Sequence, residues 1–207
     1  MTEDPGRDHE PRGHDHEHPA HDHDRDGHDD HEHDDHDHAL IVDRLPAGVW
    51  RVDPRGSEVL FRARAFGFLP VGGVFEAFGG ELSVDAQGSA SGRLVVQTVS
   101  VNTGLARRDA SLRSGAYFDS ARYPEMTFTL ERLEASGSDH LNLTGTLEIQ
   151  QRSIPLTFPV YAIAHGDHLH LEGRVLVDHH AAGLGWARPL FIGRRARAEA
   201  ALTLIRS

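Results

Sequence analysis

The chain has 207 residues, a formal net charge of −11 and no cysteine, which excludes disulfide staples, thiolate catalysis and cysteine-ligated zinc. Residues 1–38 hold 11 of the 17 histidines and three arginines against 15 carboxylates, a formal −12, so the rest of the chain is near neutral, with 18 arginines against 17 acids. Bulk charge therefore names no nucleic-acid partner for the body of the protein, and no run of about 18 apolar residues is present to span a bilayer.

The first segment in chain order is a His/Asp-rich tail, residues 1–38, with almost no aliphatic side chains. Such a segment cannot offset the entropy of folding and is expected to be disordered. Its start lacks the basic and apolar regions of a signal peptide, which gives a cytoplasmic expectation. Neutral imidazole is a good ligand for Zn, Ni or Cu, and the spacing of His14, His16, His18, His21, His23, His28, His31, His33, His36 and His38 lets a flexible chain wrap an ion. A solubilising arm is the alternative. "HEHDDH" is not the HExxH zinc-protease spacing.

After a linker at 39–48, residues 49–207 suit one domain large enough for its own core. From Trp50 onward, apolar residues recur every second position, the period of a half-buried strand. "EVLFRARAF" sets Val59, Phe61, Ala63 and Ala65 against Arg62 and Arg64. "VGGVFEAFGGELSV" and "GRLVVQTVSV" follow, the first carrying glycines that read either as bends in one long strand or as turns between shorter ones. "GLARRDASLRSGAYFDSARYP" then breaks the two-residue period and reads as a helical crossover. The alternation returns in "EMTFTLERL", "HLNLTGTLEI", "IPLTFPVYAIA", "HLHLEGRVLV" and "RARAEAALTLI", with Gly166 and Asp167 fit for a tight hairpin turn.

About eight strands and one short helix predict an all-β fold, an antiparallel sheet of eight strands closed into a β-barrel. Such a barrel either packs its interior solid or holds one slender ligand. Small residues at presumed inward positions, Ala63, Ala65, Ala196, Ala198 and Ala200, favour a cavity. The inward positions are nearly all apolar, which argues against an enzyme. "GSASG" is no nucleophile elbow, since Ala90 takes the central place, and His165, His168 and His170 fit an exposed hairpin better than a metal site.

The runs "VDPRGSEVLFRARAF", "GVFEAFGGEL", "VSVNTGLARRDASLRSGAYFDSARYPEMTFTLERLE", "LTGTLEIQQRSIPLTFPV" and "DHHAAGLGW" resemble, in order and spacing, the YceI-like polyisoprenoid-binding family. The most specific match is the series Arg108, Asp109, Leu112, Arg113, Tyr117, Phe118, Asp119, Tyr123, Pro124 and Phe128. Gly56, Ala65 and Ser111 stand where that family tends to have histidine. The resemblance implies an extended, lipocalin-like eight-stranded barrel and non-enzymatic binding, carriage or storage of a polyisoprenoid lipid, a quinone or polyprenyl chain, in its apolar lumen. Its lining would include Phe61, Ala63, Ala65, Phe75, Phe78, Phe118, Met126, Phe128, Leu130, Leu143, Leu147, Phe158, Leu171, Val175 and Trp186.

At the mouth, Arg107, Arg108 and Arg113, with Asp109, offer donors to an oxygenated headgroup. The competing reading is that Arg108 and Asp109 brace the crossover onto the barrel. Arg188, Arg194, Arg195 and Arg197 give an expectation of transient contact with an anionic membrane surface, against the competing reading of a solvated strand with Arg195 and Arg197 on its outer face. A homodimer is compatible with the sequence. The alternative function is metal buffering or delivery, with the tail as the active part and the barrel as scaffold.

Overall fold

The computed structural model describes residues 40–41, 45–136, 140–180, 184 and 193–207. In chain order these form β1 (Leu40–Ile41), β2 (Gly48–Val52), β3 (Glu58–Ala65), β4 (Leu69–Phe75), β5 (Phe78–Val84), β6 (Ala90–Gln97), β7 (Val101–Asn102), the helix α1 (Ala106–Arg113), β8 (Glu125–Ala135), β9 (His140–Ile149), β10 (Arg152–His165), β11 (His168–Asp178) and β12 (Arg195–Arg206). Every ladder is antiparallel. Following the hydrogen bonds through β2, β5, β6, β8, β9, β10, β11 and β12 returns to β2, so eight strands close the barrel and no free edge is left around that ring.

β12 is the strand on which the barrel divides. One edge pairs with β11 along its length, while the other pairs first with β3, through Arg197–Ala201, and then with β2, through Leu204–Arg206. β3, β4 and β7 thus extend the wall at one end only. The run "VGGVFEAFGGELSV" is two strands, β4 and β5, separated at Glu76–Ala77, with its glycines inside the strands and not at the break. β2 was absent from the strands expected, because a five-residue segment gives alternation too little length to register.

The glycines inside strands serve close approach. A Cβ on Gly145 would fall 2.6 Å from the Phe128 ring and nearer still to the Thr129 carbonyl, so β8 and β9 can close over one another only without a side chain there. The β10–β11 hairpin turns at Gly166, φ 54°, as the Gly-Asp pair predicts. The β9–β10 hairpin instead turns on Gln150 and Gln151, φ 50° and 60°. Two glutamines in the left-handed region carry no turn signature that a sequence displays.

The interior has two unlike halves. At one end Trp50, Leu82, Val84, Leu141, Ala162, Leu169 and Leu204 pack into a solid core, with Trp50, Ala162 and Leu169 at 0% exposure. The indole Nε1–H of Trp50 donates to the Pro46 carbonyl at 3.1 Å, which satisfies its buried polar atom, and Arg206 lies 4.7 Å over its ring. At the other end the second cluster, around Phe75, Phe118, Met126, Ile149 and Val177, surrounds an open space.

Candidate functional site

That space is a cavity of about 240 Å³. An apolar cavity of roughly 150 Å³ is already enough to stay dry and take up a benzene-sized molecule. Its wall draws on β3, β4, β6, β8, β9, β10, β11, β12, the helix α1 and the loop that follows it. Along β9 it runs from Leu143 to Ile149 and along β11 from Leu171 to Val177, about 20 Å of strand in each case. A space of that length inside an eight-stranded wall fits a slender chain.

The side chains confirm that this half is hollow. Phe61, Phe128, Leu143, Leu147, Phe158, Leu171 and Val175 point inward, yet all remain only half-buried. In a packed core such residues approach zero exposure, as Trp50 and Leu169 do in the other half. Aromatic pairs shape the wall: Phe61 and Phe75 at 5.8 Å between centroids, Phe75 and Phe118 edge-on at 5.6 Å, and Phe128 and Phe158 edge-on at 5.9 Å. Ala196, Ala198 and Ala200 of β12 also lie on the wall, so the strand adds little volume and the lumen stays open.

Of the residues expected to line the lumen, Phe61, Ala63, Phe75, Phe118, Met126, Phe128, Leu143, Leu147, Phe158, Leu171 and Val175 meet on this one wall. Three lie off it. Leu130 belongs to the packed end, Ala65 sits opposite Leu69 at the tip of the β3–β4 hairpin, and Phe78 packs against the cluster around the cavity without lining it. Trp186 and the tail histidines lie outside the described residues. Sequence reasoning missed several lining residues, among them Leu112, Tyr117, Leu156 and His179. Leu156 follows from the alternation of β10; the other three come from a helix, a loop and a strand end, where no period exists to read.

The crossover residues do something other than face the lumen. The Thr103 amide and hydroxyl both donate to Asp109 Oδ1, at 2.9 and 2.5 Å. Arg108 donates from Nε to the Thr103 hydroxyl at 2.8 Å and from its terminal nitrogen to the Thr103 carbonyl at 2.7 Å, and Arg113 donates to the Val101 carbonyl at 2.6 Å. Arg108, Asp109 and Arg113 thus tie α1 to the chain entering it, as the bracing reading has it, while Arg107 is exposed. None of the four borders the cavity. Leu112 alone among the apolar residues of the helix is buried, and it reaches the lumen wall.

Hydrogen bonding from the Thr103 hydroxyl holds the Asp109 carboxyl below its usual range, against the opposing effect of burial, with the Thr103 amide, Arg113 and Arg108 adding to the lowering. A lowered folded-state value means that Asp109 contributes stability in full above the unfolded carboxylate range, about 4, and loses it as pH falls through the folded value. Asp109→Asn should therefore be less stable than the wild type at pH 7. Parallel urea titrations from pH 7 to pH 2 should show that gap shrinking below about pH 4.

The geometry defines a class: a closed antiparallel barrel, solid at one end and hollow at the other, with an apolar lumen. Residues 50–204 match the YceI-like domain family, and the chain belongs to it. Protein YceI of Escherichia coli is 32% identical over 125 residues, which span 58% of this chain and 65% of that protein. A UPF0312 protein of Vibrio campbellii is 28% identical over 120 residues, 56% of this chain and 64% of its own. The chain thus covers less than two thirds of the length of these relatives. Among solved structures, Burkholderia cenocepacia BcnA superposes with a TM-score of 0.67 at 20% identity, over 73% of this chain and 98% of that one. A polyisoprenoid binding domain from Saccharophagus degradans, implicated in plant cell wall breakdown, superposes with a TM-score of 0.64 at 18% identity, over 78% and 100%.

Proposed function

We propose that this protein binds and carries a polyisoprenoid lipid, its apolar chain held in the hollow half of the barrel and no bond made or broken. The observation that carries this reading is the set of inward-facing, half-buried apolar side chains around a cavity of about 240 Å³. The Saccharophagus domain described as polyisoprenoid-binding shares the fold and supports the ligand class. Each methylene moved from water into such a wall contributes about 0.8 kcal/mol, so affinity comes from chain length and needs few directional contacts.

A series of quinones or polyprenols of increasing chain length, titrated into delipidated protein, tests this. Affinity should climb steeply, by up to about a thousandfold, with each added isoprene unit, then level off once the lumen is filled. Affinity independent of chain length would reject an apolar-chain site. The His/Asp-rich segment supports an accessory role from its composition alone: weak, multiple binding of Zn, Ni or Cu through its imidazoles.

A further inference from the structure

Outside the lumen, the described residue with the greatest exposure among the large apolar ones is Phe68, at 75%. It sits in "FGFLP", the tip of the β3–β4 hairpin, beside Phe66 at 54% and Leu69 at 49%. Three large apolar side chains within four consecutive residues are far more than the scattered exposure that any soluble surface carries. Phe66 also adopts φ 52°, a conformation that a bulky residue rarely takes and that a glycine or asparagine would adopt at lower cost. The fold thus keeps an aromatic ring at a turn where both solvation and backbone preference oppose it.

Charge surrounds this tip. Gly193 donates from its amide to the Arg64 carbonyl at 2.7 Å, which sets Arg194 and Arg195 beside the last residues of β3. Arg194 and Arg195 share one carboxylate, Asp178, at 3.5 and 3.8 Å, and Arg64 is exposed on the same hairpin. Among the described residues, three guanidiniums against one carboxylate leave the collar of the tip positive. At physiological ionic strength screening acts within about 8 Å, so an approaching surface senses this collar rather than the net charge of the chain. Aromatic rings projecting from a basic collar match a bilayer with anionic headgroups: rings for the acyl boundary, arginines for the phosphates.

We infer that the β3–β4 tip is a membrane-docking device that inserts Phe66, Phe68 and Leu69 into an anionic bilayer. Ala63, only three residues before Phe66, already lines the lumen, so docking brings the hollow end of the barrel to the lipid surface. Docking stands by itself; its use for ligand exchange rests on the carrier reading. The test uses delipidated full-length protein and vesicles of phosphatidylcholine with and without phosphatidylglycerol, in flotation at two salt concentrations. The protein should float with the anionic vesicles, less so at high salt. The double variant Phe66→Asn, Phe68→Ser should lose at least tenfold in vesicle affinity while keeping its melting temperature and its lumen ligand.

Because the chain has no cysteine, Phe68→Cys takes a single environment-sensitive fluorophore, whose emission should shift to the blue on docking. Equal flotation of wild type and double variant would overturn the proposal. So would a wild type that ignores vesicles but forms a dimer lost in the variant, which would make the tip a contact between copies. Flotation by a protein whose lumen takes no lipid would uphold docking and reject the carrier reading.

Discussion

Ala198→Trp should abolish lipid binding while leaving the barrel folded. Ala198 lies opposite Val175 on β11 and Phe61 on β3, and all three line the cavity, so an indole at this position projects into the middle of the lumen. A ring that displaces one five-carbon isoprene unit removes about 4 kcal/mol of burial, close to a thousandfold in affinity. Stability should move little, because the new side chain extends into the open lumen; overpacking a solid core would instead cost about 1–3 kcal/mol. A melting curve and a quinone titration on one preparation check both halves of the expectation. A variant that binds as the wild type does would place the ligand elsewhere.

The opposite result is expected at the solid end. Trp50→Ala should cost about 3–5 kcal/mol, the range for removing a large aromatic from a core that cannot collapse around the space. Trp50 is at 0% exposure, hydrogen-bonded to Pro46 and set between Leu82 on β5 and Arg206 on β12 at the place where β2 closes the ring. Chemical unfolding should register the loss directly. Lipid affinity of the fraction still folded should change by less than about threefold, since Trp50 does not border the lumen. The two substitutions together separate a half that stabilises from a half that binds.

The division into halves is what the sequence could not display. Leu141 and Leu147 sit on the same face of β9 and are indistinguishable by alternation, yet Leu141 is 2% exposed in the packed end and Leu147 stands half-buried on the lumen wall. In β8, Met126, Phe128 and Leu130 share a face, and the wall ends between the second and the third, close to the irregular register at Leu130 and Arg132. Period two reports which face is apolar; whether that face meets another side chain or empty space depends on the strands opposite.

The barrel itself was legible because alternation repeats over many strands and errors at single positions do not change the pattern. The crossover was legible as a helix from the loss of that period, but the use of its arginines was not. Arg108 and Arg113 offer the same donors to a headgroup or to a backbone carbonyl, and only the fold shows them reaching Thr103 and Val101. The hairpin tip was missed for a related reason. In "FGFLP" the apolar residues look like the continuation of a strand, and their exposure follows from a turn held by Phe66 in a conformation seldom used by such a residue.

The carrier reading meets its most direct test in native mass spectrometry of the untagged full-length protein, purified without metal-affinity resin and followed by organic extraction of whatever is bound. The wild type should retain one isoprenoid lipid per chain, absent from Ala198→Trp prepared in parallel. A wild-type protein recovered without lipid, which also fails to take one up when quinones or polyprenols are supplied, would contradict the carrier reading.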